Sequence, residues 1–121
     1  MNISKQRAYH MKITIIIYSS EPETVWNAFR LGSASLAYDE EVNIFLLGKG
    51  VESITSKSIK FNVKEQMEIF LEHGGNILGC ELCCDTREDE MPFIKQDIGC
   101  DLGSMQDLYG LIKEADKIIT F

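Results

Sequence analysis

The sequence predicts an α/β domain in which a parallel sheet is covered by helices on both faces. Two observations carry this. Short apolar, β-branched runs alternate with helical segments in the order β-α-β-α-β-(α)-α-β. The leading runs are continuous in hydrophobicity rather than alternating, which is how strands buried on both faces read. At 121 residues and 45% hydrophobic, the chain is long enough for one domain with a real core. It shows no repeat, linker or low-complexity tract.

The elements follow in order. Lys12 to Tyr18, KITIIIY, is the first strand. Ser20 with Glu23 fits a capping box, and Pro22 falls in the first turn, where its missing N–H costs little. The helix they open runs to about Tyr38, with Val25, Phe29, Leu36 and the small Ala28, Gly32 and Ala37 facing a sheet. Glu41 to Leu47, EVNIFLL, is a second buried strand closed by Gly48-Lys49-Gly50. Val51 to Asn62 has no clear period and reads as a loop or a short helical piece. Val63 to His73 is a helix with Met67, Phe70 and Leu71 inward, stopped by Gly74-Gly75. Asn76 to Leu78 begins a third strand. Pro92 to Gly99 reads as a short strand or a loop. Ser104 caps a helix to Glu114, with Leu108, Leu111 and Ile112 inward, and Lys117 to Phe121 is the closing strand.

Charge and hydropathy narrow the function classes. The net charge is −7 and the pI about 4.8, without the basic stripe a nucleic-acid binder carries. A partner is expected to be neutral or basic rather than nucleic acid. The longest strongly apolar run, Ile13 to Tyr18, falls far short of the roughly 20 residues a membrane span needs. The opening MNISKQRAYH lacks the apolar core of a secretory leader. Residues 1–10 are expected to be a flexible extension and residues 11–121 the domain. Four cysteines without a leader fit a cytoplasmic, reduced protein, so they read as free thiols, metal ligands or redox groups.

Chemistry concentrates in Gly79 to Glu90, GCELCCDTREDE, which holds three of the four cysteines. In an open parallel sheet, reactive groups gather at the carboxyl ends of strands, and the third strand delivers Cys80 to that edge. Glu81 to Met91 is free of Gly and Pro and predicts a helix whose N-terminus favours a thiolate. Cys80, Cys83, Cys84 and Arg87 stand at i, i+3, i+4 and i+7 and share one face of such a helix. The Arg87 guanidinium can then stabilise a thiolate or a bound anion. Asp85, Glu88, Asp89 and Glu90 act in the opposite sense. Four readings stand side by side: a reactive thiol, a Cys80-x-x-Cys83 redox pair, a zinc site, and small side chains in a packed turn.

Taken together, KITIIIYSSEPE, EVNIFLLGKGV, the GG-x-x-L-G-C-x-x-C segment from Gly74 to Cys83, and LGSMQDLYGLIKEADKIITF resemble the DsrE/DsrF-like family, which includes sulfur-relay subunits. The resemblance covers Met11 to Phe121. It implies a three-layer α/β/α domain with a mainly parallel sheet of about five strands, assembled as a homo-oligomer, a trimer or hexamer. It also implies that Cys80 accepts sulfur as a persulfide from a donor protein and passes it to an acceptor protein. Cys83 matches a second cysteine of many members, and Arg87 a basic residue seven positions after the first. Cys84 is an additional thiol, and the acids after it replace a segment that is often more basic. The alternatives are a non-catalytic assembly subunit with structural or metal-binding cysteines, and a C-x-x-C thiol–disulfide switch.

The remaining residues are secondary. Ser19 and Ser20 lie on the same predicted edge as Cys80, where they can line the pocket or cap the first helix. Gly48 and Gly50 read as a tight turn. Trp26 is core or subunit interface, His73 a partner for a helix C-terminus, and Cys100 a buried thiol. No nucleophile triad is visible. Neither a flavin nor any other cofactor is expected, since Ser19-Ser20 is too little for a phosphate loop.

Overall fold

A computed structural model describes residues 10–121; the expected extension over residues 1–10 lies outside them apart from His10. Five strands form one sheet: β1 (Lys12–Ile17), β2 (Glu41–Leu46), β3 (Asn76–Cys80), β4 (Asp101–Gly103) and β5 (Lys117–Thr120). Their order is β4-β3-β2-β1-β5 and every pairing is parallel. The helices are α1 (Pro22–Ala37), α2 (Val63–Glu72), α3 (Glu81–Asp85), α4 (Ile94–Asp97) and α5 (Met105–Glu114), with a 3-10 segment over Gly48–Thr55.

Strand order fixes the layers. Moving from β1 to β4 the chain steps one way across the sheet, so right-handed crossovers put α1, α2 and the α3–α4 connection on one face. The step from β4 back to β5 reverses direction and puts α5 on the other. Contacts agree with this. Gly32 of α1 faces the Ile44 side chain and the Phe70 ring of α2, while the Thr14 hydroxyl, on the opposite face of the sheet, donates to the Leu111 carbonyl of α5 at 3.3 Å. The result is a three-layer α/β/α domain. Its core is centred on β1, β2, α1 and α2, where Ile15, Ile17, Phe29, Ile44, Phe45, Leu46 and Phe70 are fully buried.

Several local readings need correction. The cap of α1 is Glu21, not Ser20: its carboxylate accepts from the Glu23 and Thr24 amides at 3.0 and 2.9 Å. Ser19 stands one step back, its hydroxyl accepting from the Glu21 amide at 3.0 Å. A carboxylate beats a hydroxyl here because it takes two amides at once and complements the helix dipole. Leu71 and Ile112 are exposed rather than inward. The 92–99 region holds α4, and the strand comes after it, at β4. Ser104 does cap α5, in a full capping box with Asp107.

Candidate functional site

The sheet itself creates a crevice at the carboxyl ends of β3 and β4. These neighbours pair through Cys80 and Gly103, yet the chain leaves β3 toward one face and β4 toward the other. Such divergence is where open α/β sheets hold ligands and reactive groups. A groove of about 390 Å³ opens there, walled by Cys80, Glu81, Leu82, Cys83 and Asp85 on one side and Gly103, Ser104, Met105 and Gln106 on the other. Its rim is apolar: Leu82 is 70% and Met105 59% exposed.

Two of the sequence-predicted cysteines meet at this groove. Cys80 ends β3 and caps α3, its sulfur accepting from the Cys83 amide at 3.2 Å. One turn on, Cys83 brings its own sulfur alongside, and the two are joined as a disulfide with Cα atoms 5.2 Å apart. A second backbone donor comes from across the chain: the Gly48 amide points at the Cys83 sulfur, at 3.3 Å. Gly48 holds a φ of +56°, left-handed backbone that glycine adopts without penalty.

The other predicted residues separate from this pair. The helix lasts five residues, not eleven, so Cys80, Cys83, Cys84 and Arg87 do not share a face. Cys84 is fully buried in the core. Burial pushes its thiol up, with Lys95 and Arg87 opposing and Asp85 and Glu81 adding to the rise. Arg87 sits on the turn after α3. Its Nε meets the Glu52 carboxylate at 2.6 Å, and its Nη1 donates to the Cys83 carbonyl at 3.0 Å. Ser19 and Ser20 are half-buried at the end of β1 and form no part of the groove's wall. Cys100 is half-buried, with its sulfur against Gly79, and burial pushes its thiol up to about 12.

The acidic run finds a partner that its own stretch does not contain. Lys95 of α4 pairs with Asp85, with Glu88 at 3.3 Å and with Glu81 at 3.9 Å. Among the described residues, no three His, Cys, Asp or Glu side chains gather to hold a metal ion, and no helix is long and apolar enough to cross a membrane. Sequence reasoning missed Glu52, Lys95 and the groove residues Leu82, Met105 and Gln106. Only Gly48 carried a signal, as the first residue of the Gly-x-Gly turn.

Chemically, the arrangement is a cysteine pair at a strand end, closed as a disulfide, with one N–H aimed at each sulfur. A model of the DsrE/DsrF-like family matches residues 11–121. The chain belongs to that family. An uncharacterised protein of Methanocaldococcus jannaschii is 32% identical over 117 residues, 92% of this chain and 100% of that protein. Another, from Methanopyrus kandleri, is 33% identical over 116 residues, 90% of this chain and 93% of its own. A conserved protein of unknown function from Bacteroides thetaiotaomicron superposes with a TM-score of 0.73 at 23% identity, over 91% of this chain and 94% of that one. That likeness concerns the fold. The Cys80–Cys83 pair stands at the end of β3.

Proposed function

We propose that this DsrE/DsrF-like protein is a cytoplasmic sulfur carrier that accepts sulfur as a persulfide on Cys80. The observation that carries the reading is the adjacency of the Cys80 and Cys83 sulfurs at the mouth of an apolar-rimmed groove. Loading is thiol exchange: the Cys80 thiolate attacks the outer sulfur of a donor persulfide, the donor leaves as a thiolate, and Cys80 gains a sulfur. Delivery is the same step in reverse direction, an acceptor thiolate taking the outer sulfur. Neither step changes the number of electrons. Donor and acceptor are proteins presenting a cysteine to the groove, and the carrier works as a homo-oligomer, a trimer or hexamer, as its family implies.

The test is intact mass after reduction and treatment with a low-molecular-weight persulfide. Wild type and Cys83→Ser should gain the mass of sulfur, and Cys80→Ser should not. Equal loading of Cys80→Ser would sink the assignment. The disulfide favours a second reading, a thiol–disulfide switch. A protein that never gains sulfur, yet opens and closes Cys80–Cys83 reversibly in a redox titration, is that switch. Size measurement in solution checks the assembly, and a monomer at micromolar concentration removes it.

A further inference from the structure

We propose that Arg87 is a positioning residue: acting through Glu52, it keeps the Gly48 amide on the Cys83 sulfur and so makes Cys83 the thiolate that discharges a persulfide on Cys80. This rests on the carrier reading and adds a role for the second cysteine.

The geometry is a closed loop of contacts around Cys83. The Gly48 amide meets its sulfur. Four residues on, Glu52 holds the Arg87 guanidinium, and the same guanidinium donates to the Cys83 carbonyl. One side chain therefore ties the cysteine's backbone to the segment whose N–H touches its sulfur. The far side of that segment is already anchored. The Leu47 amide donates to the Ile17 carbonyl at 2.8 Å, and the buried Ser53 hydroxyl lies 3.4 Å from the Ser19 carbonyl. Besides the Gly48–Cys83 contact itself, the Glu52–Arg87 pair is the side-chain tie between the segment and the cysteine turn among the described residues. Both partners are half-buried, which leaves little room for alternative rotamers.

An N–H on sulfur matters most when the sulfur is charged, since a thiolate is a far stronger acceptor than a disulfide. More thiolate at neutral pH speeds attack even though each thiolate is a weaker nucleophile. The step balances: the Cys83 thiolate attacks the inner sulfur of the Cys80 persulfide, hydrosulfide leaves, and the Cys80–Cys83 disulfide remains. The outer sulfur is reduced to sulfide as the two cysteines are oxidised, with no external oxidant. The clamp thus sets the split between handing sulfur on and releasing it.

The charged side chains on the elements packed about Cys83 are Glu81 and Asp85 of α3, Lys49 and Glu52 of the 3-10 segment, Arg87 and Glu88 of the turn, Lys95 and Asp97 of α4, and Asp107 of α5; Lys95 is held by Glu81, Asp85 and Glu88. Glu52 separates two explanations by sign. If Arg87 acted by its charge alone, Glu52→Gln would unmask that charge and lower the Cys83 titration midpoint. If Arg87 acts through Glu52, the same change frees the segment and raises it.

The experiment is the pH profile of Cys83 alkylation, read by peptide mass in the full-length Cys80→Ser protein, where serine retains the helix cap. Glu52→Gln and Arg87→Gln should each raise the midpoint by about one pH unit, a roughly tenfold loss of thiolate at neutral pH. Arg87→Lys should restore part of it, and the double variant should go no further than either single one. In the Cys80-containing protein, Glu52→Gln should slow hydrosulfide release from the persulfidated form by a similar factor. An unchanged or lowered midpoint in Glu52→Gln overturns the proposal. The titration involves no sulfur transfer, so its failure is distinct from a failure of Cys80 to load.

Discussion

Gly50→Ala offers the sharpest check on how the sheet edge serves the thiols. A Cβ built on Gly50 overlaps the Ile17 carbonyl oxygen and stands 2.8 Å from the Ile17 carbonyl carbon, both backbone atoms at the end of β1. Neither can swing aside as a side chain would. Since ordinary contact begins near 3.4 Å, the 3-10 segment must retreat by on the order of 1 Å. Overpacking of this kind costs about 1–3 kcal/mol, and loosening the hydrogen bond from Leu47 to Ile17 adds about 1 kcal/mol. We expect a loss of about 2–4 kcal/mol, which leaves a domain of ordinary stability folded. The Gly48 amide, already 3.3 Å from the Cys83 sulfur, leaves hydrogen-bonding range in the same movement. Urea unfolding followed by Trp26 fluorescence measures the first effect, and Cys83 alkylation the second. Gly48→Ala is the control: it meets no atom within 4 Å and pays only for its positive φ, roughly 1–2 kcal/mol. A Gly50→Ala protein within about 0.5 kcal/mol of wild type would refute the steric reasoning.

Three further outcomes follow from burial and capping. Cys84→Ser places a hydroxyl in the core where the thiol is fully buried, and urea unfolding should show a loss of about 1–3 kcal/mol with Cys80 still loading sulfur. Cys100, raised by burial to about 12 from 9.0, keeps its proton in the folded state while the unfolded chain loses it. Its contribution is therefore full below pH 9.0 and declines toward pH 12, and Cys100→Ala should flatten the alkaline fall in stability. Glu21 and Asp107 are lowered by amide hydrogen bonds, Glu21 from Glu23 and Thr24, Asp107 from Ser104. Their contributions hold above the ordinary carboxylate range and vanish as pH drops through the folded values, so Glu21→Gln with Asp107→Asn should blunt acid unfolding.

The fold was legible because its signals are local. Unbroken β-branched runs mark β1 and β2, and Ser104 with Asp107 three residues on marks the start of α5. What escaped was set by contacts distant in the chain. Nothing near Glu21 says that a carboxylate rather than Ser20 will cap α1, since both stand at the right distance from its first turn. Pro92 to Gly99 is apolar enough for a strand, but β4 forms later, and the Ile98 side chain instead packs on Gly79 of β3, where a Cβ would stand 2.5 Å from it. The end of α4 thus packs on β3 before the chain joins the sheet.

The cysteine cluster shows the same division. Position placed Cys80 at a strand end correctly, because strand and cap are read from adjacent residues. The common face for Cys80, Cys83, Cys84 and Arg87 required about two helical turns, and α3 has little more than one. Its short length sends Cys84 inward and frees Arg87 to reach Glu52, 35 residues earlier in the chain. The acids beyond Cys84 likewise make physical sense only with Lys95, which draws Asp85, Glu88 and Glu81 toward α4. Lys95 thus offsets part of the charge of Glu81 and Asp85, which also line the groove. With Lys95 against those two carboxylates, the exposed Leu82 and Met105 side chains dominate the groove's rim, so the local surface there is more apolar than the chain's net charge of −7 implies.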